Sequence, residues 1–368
     1  MNWIRIGIIN LLILVALLAF EELVLRSVWT IRSCLILNCD LRRITALKVY
    51  DVLKFTSMNI GLTKFDDRLG YVPREGFDAV INKPDFGWSD VKLTIGNDGF
   101  RLNNLGMAPH ATDVLVVGDS FTFGDQVSNS ETWPACLERK LDRGVDNGGV
   151  PGYGAAQSLL RASLELSKKH YSYLVFSIMV GDDFERDRLS YRSGFAKPAL
   201  VQTNNGIEWS AVSDPNRRGT WSNPSRLNRL IAYFYERSMV VAVAVNRVMP
   251  QIDLSGVRLT VENPNAAAKD AIMERTLKEF SRLKIDKKIL LLQYWENLSD
   301  PGVLDEREKI LGIANTLSLK VVDTIDVLTK YEPEKLWDRG RFGGHHTPYG
   351  NEVVCEYLFE RGFRAWTH

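Results

Sequence analysis

The stretch Val114-Leu-Val-Val-Gly-Asp-Ser-Phe-Thr-Phe-Gly124 constrains the fold more than any other. Its apolar run stops at Gly118-Asp119-Ser120 and then turns. A short continuous apolar run closed by a turn is the pattern of a strand buried on both faces of a parallel sheet. Such a strand delivers a serine to the carboxyl edge of the sheet, where open α/β sheets bind their ligands.

The rest of the chain repeats the pattern. Thr132 to Leu141 has helical spacing, with Trp133, Leu137 and Leu141 four apart. Val145-Asp-Asn-Gly-Gly-Val-Pro-Gly-Tyr-Gly154 reads as a second strand end and a Gly-rich loop. An amphipathic helix, Ala155 to Lys168, follows. Tyr173 to Val180 is a third buried strand, ending in Gly181-Asp182-Asp183. The alternation resumes with helix Ala266 to Leu283, strand Lys288 to Gln293, helix Leu304 to Leu317 and strand Lys320 to Asp323. A last helix opens at Pro348, where Pro is tolerated in the first turn. Alternating strand and helix predicts α/β with a parallel sheet. A polar stretch at about 188–225 interrupts it as an inserted loop or flap, and Arg226 to Val248 reads as a buried helix.

The residues before the first strand divide in two. Ile6 to Phe20 is uncharged and, with its flanks, approaches the ~20 residues that span a bilayer. Residues 1–25 therefore read as an uncleaved signal anchor, with the bulk of the chain outside the cytoplasm by the positive-inside rule. A cleaved signal peptide and a soluble helix are the alternatives. Residues 26–110 read as a helical connector and a small β extension ending at Asp98-Gly-Phe-Arg101, a packing arm that could also wall the site. Residues 111–368 form the main domain.

Composition narrows function by exclusion. A net charge of +1 with scattered Lys and Arg gives no case for nucleic acid. Of the four cysteines, Cys34 and Cys39 are near enough to form a disulfide in an oxidising compartment, the plainer reading being two free thiols. No cluster has metal-ligand spacing, and neither metal nor organic cofactor is expected.

Four strand-end segments carry the chemistry: Gly118-Asp-Ser-Phe, Asn147-Gly-Gly-Val-Pro-Gly152, Val180-Gly-Asp-Asp183 and Gly343-Gly-His-His-Thr-Pro-Tyr-Gly350. Acyl transfer needs a nucleophile, a base and donors for an oxyanion. Ser120 fits the first, His345 or His346 the second, and the N–H groups of Ser120 and Gly152 the third. Alone, Ser120 would read as a helix cap and Asp182 and Asp183 as caps after the third strand.

On these segments the chain resembles the SGNH, or GDSL, hydrolases, nearest the branch of bacterial surface-polysaccharide and alginate-type O-acetylation proteins. Leu69-Gly-Tyr71, Asp98-Gly-Phe-Arg and Gln157 belong to the same likeness, which spans roughly residues 65 to 365. The resemblance implies a flavodoxin-like three-layer α/β/α fold. Its nucleophile is Ser120, its oxyanion glycine Gly152, and its base His345 rather than His346. It places Asp182 where the family has an oxyanion Asn. It places Gly343 and Phe342 where the family's orienting Asp stands, which leaves Asp338 as the nearest upstream carboxylate. The activity implied is an extracytoplasmic serine esterase or acetyltransferase on carbohydrate O-acyl esters, anchored in the inner membrane and working beside a membrane acyltransferase. The departures at Asp182 and Gly343 leave a second reading, a catalytically degenerate scaffold that binds glycan. A soluble lipase-like esterase is a third.

Overall fold

A computed structural model describes residues 17, 19–22, 24, 62–83, 88–104, 112–192, 195–212, 260–285, 287–338 and 344–364. The chain divides into two compact units, Met1–Met58 with Asn216–Leu259, and Asn59–Pro215 with Thr260–His368. In the first unit the described residues are helical, with Leu17, Phe20 and Val24 exposed. Among the described residues no helix is long and apolar enough to cross a membrane. Most of the expected anchor, the connector to Met58, the expected helix Arg226 to Val248, and Cys34, Cys39, Phe342 and Gly343 lie outside the described residues.

The second unit opens with two antiparallel hairpins, β1 (Thr63–Asp66) with β2 (Gly70–Pro73), and β3 (Asp78–Lys83) with β4 (Trp88–Thr94). Then comes a five-stranded parallel sheet. Its strands are β5 (Thr112–Val117), β6 (Gly144–Asn147), β7 (Tyr173–Met179), β13 (Lys287–Gln293) and β14 (Val321–Asp323), in the spatial order β14-β13-β7-β5-β6. Between β7 and β13 run short antiparallel strands: β8 (Leu189–Arg192), β9 (Phe195–Ala196), β10 (Leu200–Thr203), β11 (Gly206–Trp209) and β12 (Thr260–Glu262). The expected flap is thus strand-forming through Trp209, with β8 between β9 and β12.

Val114–Val117 and the whole of β7, including Ser177, are buried, as two-face burial of nearly continuous apolar runs requires. Helix Ala155–Leu166 packs on helix Lys269–Arg282, which also meets Pro301–Thr316; helix Trp133–Leu141 packs on Pro348–Leu358. The last two are joined by a disulfide between Cys136 and Cys355, 219 residues apart with Cα atoms 6.1 Å apart.

This strand order reverses direction between β5 and β7. In doubly wound sheets the crevice outside the carboxyl ends at that reversal is the ligand site. Gly118-Asp-Ser120 follows β5 and Gly181-Asp182-Asp183 follows β7, so the fold brings two of the four segments to that crevice.

Candidate active site

Ser120 is the first residue of a short helix, Ser120–Phe123, and its side chain is free for chemistry because Asp119 does the capping. Asp119 Oδ1 accepts the Phe121 N–H at 2.9 Å, and its Oδ2 lies 3.4 Å from Ser120 Oγ. Capping of this kind satisfies one orphan amide at the helix start.

His345 reaches Ser120 from the C-terminal segment. Its Nε2 is 2.9 Å from Ser120 Oγ, and its Nδ1 is 2.9 Å from Gln126 Oε1. An amide oxygen only accepts. Nδ1 therefore carries the proton, which leaves Nε2 with its lone pair toward the serine hydroxyl. The ring lies between Phe121 at 5.0 Å and Trp295 at 5.4 Å, with 14% of its side chain open to solvent. Burial in these walls, with Arg186 and His346 adding to it, lowers the His345 pKa to about 3, so the imidazole rests neutral. Gly344, at φ +125, is needed here, because a Cβ would stand 2.8 Å from the Trp295 ring.

His346 turns the other way. It is buried between Phe121 and Trp337, with Nδ1 3.4 Å from the Leu336 carbonyl. Of the two rings, His345 and not His346 faces the Ser120 hydroxyl.

The orienting partner is not where the resemblance implied. Asp338 meets this segment through its backbone: its N–H donates to the His345 carbonyl at 2.9 Å, next to the Trp337–His346 bridge. The imidazole Nδ1 is held by Gln126, six residues after the nucleophile. Gln126 sits at φ 70, in a loop fixed by Arg101. Arg101 Nη1 donates to the carbonyls of Phe123 (2.8 Å) and Gly124 (2.5 Å), and Nη2 to that of Val127 (2.6 Å). Beside Gln126, Asp125 is buried with Oδ2 3.9 Å from His345 Nε2. Burial, only partly opposed by Arg101, raises its carboxyl to about 7.

Asp182 brings no side-chain donor to the site. Burial works to raise its pKa, but Arg186 and Arg192 outweigh burial and hold it below the ordinary value, so it is a carboxylate with no N–H to give. It is ion-paired with Arg186 Nη2. Arg186 Nη1 also bonds Asp119 Oδ2 at 2.8 Å, Asp183 Oδ1 at 2.8 Å and the Tyr153 carbonyl at 3.1 Å. One guanidinium thus ties the residue before Ser120, the residue after Gly152 and the end of β7 into one frame. Asp183 is buried and also accepts the Met179 N–H at 2.8 Å.

Gly152 stands at φ +80, and a Cβ there would lie 3.0 Å from both Arg192 Nε and the Tyr71 hydroxyl. Tyr71 donates to the Pro151 carbonyl at 3.0 Å, and Gln157 Nε2 to the Leu69 carbonyl at 2.7 Å. The hairpin arm therefore underpins the Gly152 loop through Leu69-Gly-Tyr71, as Arg101 underpins the Gln126 loop. Gln126, Asp125, Arg186 and Arg192 were not among the residues singled out from sequence. Only the Asp182 and Arg186 spacing of four, which faces an acid and a base on one helix side, carried a readable signal.

No family model matches the chain. No curated protein matches it. Among solved structures the chain is similar to an alpha/beta hydrolase enzyme from the metagenome of Lake Arreo, at 13% identity over 69% of this chain and 96% of that one, TM-score 0.39. It is similar to a putative lipolytic protein of the G-D-S-L family from Desulfitobacterium hafniense, at 15% identity over 68% and 98%, TM-score 0.38. It is also similar to an acetylxylan esterase from Geobacillus stearothermophilus, at 14% identity over 71% and 98%, TM-score 0.36.

Proposed function

We propose that this chain is a serine esterase or acyltransferase of SGNH type acting on small acyl esters. The observation that carries the reading is the relay Ser120 Oγ, His345 Nε2, His345 Nδ1, Gln126 Oε1, with both contacts at 2.9 Å. In it Ser120 Oγ attacks the ester carbonyl and forms the C–O bond. The carbonyl π pair moves onto oxygen, and the hydroxyl proton passes to Nε2. Collapse expels the alkoxide, which takes that proton, and water or an acceptor hydroxyl then releases the acyl group by the same steps. The N–H of Ser120 opens a helix and so has no intrahelical acceptor; with the Gly152 N–H it faces the oxyanion.

The finer assignments rest on the sequence: acetyl as the acyl group, a carbohydrate as its carrier and a membrane acyltransferase as partner on the likeness, and residues 1–25 as anchor to the inner membrane on the uncharged run Ile6 to Phe20. Export has separate support. The Cys136–Cys355 disulfide forms and persists in oxidising compartments.

The test is hydrolysis of p-nitrophenyl acetate and of acetylated oligosaccharides by the wild-type chain against Ser120→Ala. A loss on the order of 10⁶ in kcat is expected on removing the nucleophile. Equal rates would sink the reading. The second reading, a scaffold without chemistry, is favoured by the ion-paired Asp182 and by an amide where a carboxylate is usual. Labelling of Ser120 by a fluorophosphonate excludes it.

A further inference from the structure

With Asp182 a carboxylate locked to Arg186, the side-chain donor of the oxyanion site is missing from its expected place. A different side chain stands at the same glycine. Arg192, the last residue of β8, brings Nε to 3.0 Å from where a Gly152 Cβ would be. That nitrogen is shielded from solvent and has no hydrogen-bond partner among the described residues. A buried donor left unpaired costs about 1–3 kcal/mol, so an acceptor placed beside this one is favoured. Burial and the charge of Arg186 lower the Arg192 pKa, and an anion placed beside it relieves both. The neighbouring carboxylates are otherwise engaged: Asp119, Asp182 and Asp183 all bond Arg186.

We propose that Arg192 is the catalytic residue that donates from its guanidinium to the oxyanion of the tetrahedral intermediate, beside the N–H groups of Ser120 and Gly152. The assignment rests on the esterase reading. It gives the site a cationic third donor in place of an amide. The charge matters most when the carbonyl π pair has moved onto oxygen, so the contact acts on the transition state rather than on the neutral ester.

The experiment compares wild type, Arg192→Gln and Arg192→Lys for acetyl-ester hydrolysis and for inhibition by phenylboronic acid. This acid forms a tetrahedral anion on a reactive serine. Arg192→Gln is expected to lower kcat about 10²-fold with KM little changed, and to weaken boronate inhibition in proportion. Arg192→Lys, which keeps the charge, is expected to recover part of both. Wild-type kcat and boronate affinity in Arg192→Gln overturn the assignment, as does a loss confined to KM. If Arg192→Gln does not fold, Arg192→Lys decides: equal loss of hydrolysis and boronate affinity supports the assignment, and unchanged values overturn it. Absence of Ser120-dependent hydrolysis in the wild type removes the esterase reading itself. An active wild type with an unaffected Arg192→Gln removes only this inference.

Discussion

The two loops that meet at Ser120 are built on opposite electrostatic plans. The loop after β5 meets His345 with a neutral group, the Gln126 amide, and is fixed by its own carbonyls at Phe123, Gly124 and Val127, which accept from Arg101. The loop after β7 is dense in charge, with Arg186 among Asp119, Asp182 and Asp183. Geometry on the first side is fixed by hydrogen bonds; Asp119 turns toward Arg186, and Asp125, beside Gln126, has its carboxyl raised to about 7 by burial. On the second side geometry is fixed by the ion pairs of one buried arginine, whose loss would strand the buried Asp119 and Asp183 together. The site therefore divides its labour. The charged frame holds the backbone in place, and the other side holds the Ser120–His345–Gln126 contacts along which the proposed reaction moves its proton.

The comparison is broken most severely at Arg186. Arg186→Ala leaves Asp119 and Asp183 buried without their cation. Breaking a buried pair from one side costs about 3–5 kcal/mol. Urea unfolding is expected to show a loss of that size, against a small loss for Gln126→Ala. The sign with pH follows. Burial already raises the Asp183 carboxyl well above its ordinary value, and loss of the cation raises it further. Its contribution to stability is then present below the unfolded value near 4 and lost as pH rises through the folded value. The variant should thus lose more at pH 8 than at pH 4. An equal loss at both would show that the arginine acts by packing and by its bond to Tyr153, not by charge.

Gln126 tests the neutral side. Gln126→Ala takes away the acceptor for Nδ1–H, so the imidazole loses both tautomer and orientation. A fall in kcat of about 10²-fold is expected, below the ~10⁴ seen when the serine-protease carboxylate is replaced and the tautomer is wrong. Gln126→Glu keeps an acceptor and adds a charge that stabilises the imidazolium. It should hold or exceed wild-type kcat, and raise the His345 pKa from about 3, read by histidine NMR titration. Full activity in Gln126→Ala would mean that the Phe121 and Trp295 walls alone orient the ring.

What could be read from the sequence follows the same division. Ser120, Gly152 and His345 stand in segments where an apolar strand or a Gly-rich turn meets a reactive residue, and local pattern reveals them. The parallel sheet was legible for the same reason, since β5, β7 and β13 each carry a continuous or nearly continuous apolar run. Gln126 was not legible. Its role comes from a left-handed backbone in a loop that Arg101 fixes from another segment, and no periodicity marks such a residue. Asp338 is near His345 in sequence and in space, yet the bridge at Trp337–His346 engages its backbone while Gln126 occupies Nδ1. The Cys136–Cys355 pair has no local signal either. It depends on two helices, 219 residues apart in sequence, packing together.

Asp125 gives the smallest and finest test. Its Oδ2 is 3.9 Å from the nitrogen that receives the serine proton. While protonated it is a passive neighbour; once ionised it favours the imidazolium and so the proton transfer. Burial sets that ionisation near 7, with Arg101 opposing it and Asp119 adding to it. His345 is neutral throughout, with a pKa of about 3. The rise in kcat/KM with pH therefore belongs to the carboxyl and not to the base. Wild type should climb about tenfold through pH 7, the span that one unit of pKa change in the imidazole would produce. Asp125→Asn should run flat across that range at the lower level. Stability should move in the opposite sense: the folded pKa of Asp125 lies above its unfolded value, so its contribution is present below about 4 and lost as pH rises through about 7. Asp125→Asn, neutral at every pH, should lack that loss and gain on wild type at pH 8 in thermal melts. An inflection near 7 that survives in Asp125→Asn would return the titration to His345 and place the charge-sensitive step on the Arg186 side of the site.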